Sequence, residues 1–123
     1  MMTGRITPDR EAVLELSVVG SGREQETIEA VIDTGFNGYL VLSRIFADRL
    51  ELQLAGNRRA TLGDGRSIVL DAYLGTAIWH GRECAILVLQ AEGGPLIGMS
   101  LLFGSRVTLD VTDGGNVTID PLP

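Results

Sequence analysis

The sequence predicts an all-β fold with one or two short helices, and three observations predict it. Apolar residues recur with a period of two along most of the chain, the spacing that puts alternate side chains on one face of a strand. Sixteen glycines stand against four prolines in 123 residues, a turn-rich balance suited to many short strands. The two stretches with helical character are brief, and neither fills more than about two turns.

The elements follow in order. Ala12, Leu14, Leu16 and Val18 alternate along one face, and Gly20-Ser21-Gly22 supplies a turn. Ile28, Ala30 and Ile32 alternate next and run up to Asp33, so this first hairpin delivers a carboxylate at a strand end. A strand over Tyr39 to Leu42 meets Ser43, an N-cap residue for a helix over Arg44 to Leu50. Arg58 to Leu62 and Arg66 to Leu70 flank Gly63-Asp64-Gly65, residues that tolerate positive φ at a hairpin tip. The second arm continues through Ala72, Leu74, Thr76 and Ile78 to a turn at Trp79-His80-Gly81-Arg82. Cys84 to Leu89 is apolar at every position, which predicts a strand buried on both faces. Gly93-Gly94-Pro95 breaks the chain before Leu96-Ile97-Gly98. Met99 to Phe103 makes a helical turn with Gly104 at its C-terminal end, and Leu101, Leu102 and Phe103 are expected in the core. Val107, Leu109 and Val111 alternate, and Asp113-Gly114-Gly115-Asn116 turns into Val117 to Ile119.

The chain is 45% hydrophobic and 21% charged, with a formal charge of −6. Its length and balance suit one domain over residues 1–123, and its negative charge disfavours nucleic acid and anionic membrane as partners. The opening MMTGRITPDREAV has no apolar segment of signal-peptide type, and no apolar run approaches a membrane span. Cys84 stands alone, so neither an intrachain disulfide nor a thiolate metal site is expected. A soluble, cytoplasmic protein without metal or cofactor is the expectation.

The order Ile32-Asp33-Thr34-Gly35, a glycine-tipped hairpin, and then Leu96-Ile97-Gly98-Met99-Ser100-Leu101-Leu102 resembles the single-domain retropepsin-like aspartic proteases, above all the bacterial ones. The likeness runs from about Leu14 to Val111. Either motif alone is weak; the two in this order, about sixty residues apart, carry the resemblance. It implies a closed or semi-closed β-barrel of the acid-protease type, a homodimer, and an endopeptidase acting on a peptide or protein substrate.

The chemistry of such a site needs two carboxylates sharing one proton, because like charges about 3 Å apart cannot both ionise. One member then acts as a base on water while its protonated partner polarises the peptide carbonyl. This chain holds a single Asp-Thr-Gly, so a second copy must bring its own Asp33 across a two-fold axis. By resemblance, Asp33 is catalytic, Thr34 cross-links the paired loops, and Gly35 lets backbone amides approach the carboxylates. Leu96, Ile97 and Gly98 back the loop, and Leu62, Gly63, Asp64, Gly65 and Arg66 form a flap over substrate. Two positions depart from the family pattern. Phe36 stands where a Ser, Thr or Ala is usual and has no donor for the aspartate's outer oxygen. The flap tip carries the charge of Asp64 where family flaps are apolar.

Blander readings stand beside these. Asp33 alone is an ordinary Asx-turn residue. His80, the one histidine, is expected in an exposed turn, and no nucleophile-elbow motif accompanies it. Asp110, Asp113 and Asp120 lack the spacing of a calcium loop. Two other functions stay open: a silent dimeric module of the same fold that binds peptides or assembles, and a monomeric β-barrel binding a small ligand.

Overall fold

A computed structural model describes residues 1–61 and 64–123. Among the described residues, ten strands and two short helices follow one another. They are β1 (Met2–Ile6), β2 (Ala12–Val19), β3 (Gln25–Ile32), β4 (Leu40–Leu42), α1 (Arg44–Arg49) and β5 (Gln53–Thr61). Then come β6 (Ser67–Trp79), β7 (Arg82–Gln90), β8 (Leu96–Ile97), α2 (Met99–Leu102), β9 (Ser105–Leu109) and β10 (Asn116–Pro121). All ten strands join one sheet in the order β5-β6-β7-β4-β8-β3-β2-β1-β10-β9. A further pairing of β2 with β6, Val18 opposite Ala77, brings the hydrogen-bonded path from β2 through β3, β8, β4, β7 and β6 back to its start.

The alternation in the sequence becomes the core. Leu14, Leu16 and Val18 of β2 face inward beside Ile28 and Ala30 of β3, with Leu14 paired to Ala30 and Leu16 to Ile28. Leu40, Leu42, Val88, Ile97 and Ile119 are fully enclosed with them. Each such aliphatic side chain stabilises the fold by ~1.5–3 kcal/mol relative to its exposed state. The β6–β7 hairpin closes with His80 at φ 51° and Gly81 at φ 75°, the two positive values that a tight two-residue turn requires. Gly104, at φ 85°, follows α2 in the conformation expected of a helix-terminating glycine. Among the described residues no helix is long and apolar enough to cross a membrane.

Several expectations are corrected. β1 is a strand that the sequence did not announce: only Ile6 of Met2–Ile6 is buried, and pairing with β2 and β10 on its two sides holds it in place. β7 is not enclosed on both faces; Ile86 and Val88 are buried, Leu87 and Leu89 half-buried, and Ala85 exposed. Phe103 is not core. It is 90% exposed, while Leu101 and Leu102 are buried. Phe103 follows the four-residue helix at ψ 131°, outside helical geometry, so the pattern that buries its two predecessors has already ended. Ser43 takes the N-cap position of α1 without a side-chain cap bond; the Arg44 N–H donates instead to Glu92 Oε2 at 3.2 Å. His80 is half-buried rather than exposed, its Nε2 bonded to Ser105 Oγ at 2.8 Å.

Candidate active site

The loop between β3 and β4 carries Asp33, and a single dipeptide holds both of its ends. Leu96-Ile97 of β8 runs parallel to β3, pairing Val31 with Leu96 and Ile32 with Ile97. On its other side it runs antiparallel to β4, pairing Leu40 with Ile97 and Val41 with Leu96. The Asp33 N–H donates to the Ile97 carbonyl at 2.9 Å, so the aspartate backbone sits directly on this support. Ladder bonds on both flanks fix where the loop enters and leaves the sheet.

Within the loop the Gly35 N–H donates to Asp33 Oδ1 at 2.9 Å, and the Phe36 N–H to the Asp33 carbonyl at 3.2 Å. This is the Asx turn of the bland reading, and it uses one carboxylate oxygen. Among the described residues Oδ2 receives no donor. Asp33 is half-buried, and Thr34 and Gly35 are exposed. A Cβ on Gly35 would lie 3.2 Å from Asp33 Oδ1, so glycine gives the carboxylate its room.

The start of α2 completes the loop's anchorage. A helix leaves its first N–H groups without intrahelical partners, and here the loop's carbonyls accept from them. Met99 N–H donates to the Phe36 carbonyl at 2.8 Å and Ser100 N–H to the Gly38 carbonyl at 3.1 Å. Gly98 N–H donates to the Tyr39 carbonyl at 3.0 Å, and the Ser100 hydroxyl donates to the Asn37 carbonyl.

Phe36 lies across two glycines. A Cβ on Gly98 would stand 2.4 Å from Phe36 Cδ2 and 2.2 Å from the Gly38 carbonyl oxygen; one on Gly38 would stand 2.5 Å from Phe36 Cζ. The ring therefore packs against backbone at these two glycines, and the side chain also borders an open cleft. That cleft, of about 460 Å³, is lined by Gly35–Gly38 of the loop, by Arg59, Ala60 and Thr61 of β5, and by Leu89.

The structure thus brings Asp33, Thr34, Gly35, Leu96, Ile97 and Gly98 together. Leu62 and Gly63, expected in the flap, lie outside the described residues. Asp64, Gly65 and Arg66 form an exposed turn and do not line the cleft. Asp64 accepts the Arg66 N–H at 3.0 Å and pairs with Arg66 Nε at 2.6 Å, and these bonds hold its carboxyl below the usual carboxylate range. The charge at the tip is therefore paired locally. Sequence reasoning missed Arg59, Ala60 and Thr61 as cleft wall and Ser100 as a loop anchor. A serine just after Gly98, at the start of a helix, was the available signal for the latter.

A hydrolytic triad at His80 is not assembled. The Nδ1 atom, where an acid would have to bind, has no partner among the described residues.

No family model matches the chain, and no curated protein matches it. The crystal structure of a retropepsin-like aspartic protease from Rickettsia conorii superposes with a TM-score of 0.59 at 18% identity, over 98% of this chain and 92% of that one. The chain therefore has the fold of a retropepsin-like aspartic protease, mostly β with two short helices.

Proposed function

We propose that the chain, as a single domain over residues 1–123, is an aspartic endopeptidase. It works as a homodimer, with Asp33 from two copies forming one proton-sharing pair. The observation that carries this reading is the pinned loop: Asp33 rests on Ile97 by a 2.9 Å bond, with one carboxylate oxygen fixed by Gly35 and the other open. The fold, and the ring of pairings through β2, β3, β8, β4, β7 and β6, support the closed-barrel form of the reading.

In the dimer the two carboxylates hold one proton between them. The ionised member takes a proton from water as it attacks the peptide carbonyl, and the protonated member hydrogen-bonds the developing oxyanion. The proton then passes to the leaving amine, and the pair returns to its starting state. Thr34 ties the two loops together, and Gly35 keeps the approach clear. Substrate lies extended in the cleft beside Phe36, Ala60 and Leu89, which favour apolar side chains near the cut. The turn at Asp64 to Arg66, where the flap is expected, closes over it and excludes water. The lone Cys84 suits a reducing cytoplasm.

The test is cleavage of a denatured peptide library by the native protein and by Asp33→Asn. Native protein should cut, and the variant should lose about a thousandfold or more. The silent-module reading draws on one observation, an Asp33 Oδ2 that receives no donor among the described residues; a native dimer that cuts nothing from acidic to neutral pH would establish it.

A further inference from the structure

We infer that Arg58 and Arg59 make the cleft select peptides with acidic side chains flanking the apolar residues at the cut. The inference rests on the peptidase reading above and names the substrate class of that same site. All ten basic residues of the chain are arginines. Arg5, Arg23, Arg44, Arg49 and Arg66 each pair with a carboxylate of their own chain. Among the described residues Arg58 and Arg59 pair with none; Arg58 Nη1 donates to the Asn57 carbonyl at 2.9 Å, which leaves the charge uncompensated. Directly across from them on β6 stand Leu70 and Val69, while Asp71 is opposite Asn57.

Their place in the fold gives the two charges a use. Arg59, Ala60 and Thr61 line the cleft, and no carboxylate is among its lining residues. Successive residues of a strand point to opposite faces, so Arg58 shares the face of Ala60 and Arg59 that of Thr61. A peptide running along this wall therefore passes a guanidinium on either face. β5 is also an end strand of the sheet, so among the described residues no further strand covers its outer flank. The chain as a whole is acidic at −6, and two adjacent arginines without carboxylate partners set a local positive potential at the cleft. The planar fork of a guanidinium matches a carboxylate with two parallel N–H···O bonds, which favours Asp or Glu over an uncharged residue of similar size. Phe36, Ala60 and Leu89 keep the cut itself apolar, so the selected peptide has an apolar centre and an acidic flank.

Two peptides test this, identical in an apolar centre and differing only in Glu or Gln on its flanks. Cleavage is compared at about pH 6 and low salt, where the substrate carboxylates are ionised. The readout is the ratio of kcat/KM between the peptides, which does not depend on how much of a variant is folded. Native protein should prefer the Glu peptide roughly three- to tenfold, the reach of two exposed ion pairs. The ratio should fall to about one in Arg58→Gln/Arg59→Gln, and it should shrink as salt is added. Arg82→Gln, across from Trp79 at the end of β6 remote from the β5–β6 turn, should keep the native ratio. Equal cleavage of both peptides by native protein, or a preference that survives loss of both arginines, would overturn the inference and leave the peptidase reading intact. A ratio lowered as much by Arg82→Gln would also overturn it, by assigning the preference to overall charge. If native protein cuts neither peptide, the peptidase reading falls, and fluorescence anisotropy of the labelled peptides decides the inference by itself. Tighter binding of the Glu peptide, lost in the double variant, would sustain the acidic selection; equal or absent binding would overturn it.

Discussion

Phe36 and Gly98, sixty-two positions apart in the chain, are in such close contact that a single added carbon on Gly98 would stand 2.4 Å from the Phe36 ring. The same carbon would meet the Gly38 carbonyl oxygen at 2.2 Å, and backbone cannot swing aside as a side chain can. Gly98→Ala should therefore destabilise the protein by about 2–3 kcal/mol, as overpacking against backbone does. Urea unfolding measures it through the midpoint; an unchanged midpoint would show that the loop yields freely.

Phe36 itself is packed rather than loose. Phe36→Ala should cost about 1–3 kcal/mol, less than a fully enclosed phenylalanine because the ring is only half-buried. Thermal melts compare the two proteins, and no loss of stability would mean that the ring's contact with Gly38 and Gly98 contributes nothing.

Ser100 links the support to the loop through its hydroxyl, which donates to the Asn37 carbonyl. Ser100→Ala should lower stability by about 0.5–1.5 kcal/mol, the net worth of one such bond. It should also raise amide hydrogen exchange across residues 36–39. Exchange unchanged there would assign the anchorage to the backbone bonds of Met99 and Ser100 alone.

Arg23 and Glu83 form a two-bond pair at 3.0 and 2.8 Å that joins the β2–β3 turn to β7. Hydrogen bonding and the guanidinium charge hold the Glu83 carboxyl below its ordinary value of 4.5. A depressed carboxylate contributes stability above its unfolded value and loses it as the pH falls through the folded one. Native protein should thus exceed Glu83→Gln in stability at neutral pH, by a small margin that salt reduces, since the pair is exposed. Well below pH 4.5 the two should converge. A difference that persists in acid would assign the effect to shape rather than charge.

Much of the architecture was legible because alternation and turn chemistry agree. The β2–β3 hairpin, the β6–β7 turn and α2 with Gly104 follow from local pattern, and the pairing of the two motifs followed from resemblance. What stayed hidden depends on tertiary neighbours. β1 has little apolar content and is held by ladders on both sides, so no periodicity betrays it. Phe103 has the residue type of the core, and only the end of a four-residue helix turns it outward. The seat of Phe36 is built from Gly38 and from Gly98 in a distant loop, a contact that spacing within either motif does not encode. Arg59 to Thr61 became cleft wall because β5 begins at Gln53 and runs past Phe36, well before the hairpin tip that drew notice.

Mixing native protein with Asp33→Asn, at concentrations where both are dimeric and subunits exchange, tests whether one active site is built from two chains. If each working site takes an aspartate from both copies, an equimolar mixture keeps about a quarter of the peptidase activity of the same amount of native protein, because only that share of dimers carries two native chains. Retention of about a half would mean that each chain is sufficient by itself, and the shared dyad would be wrong.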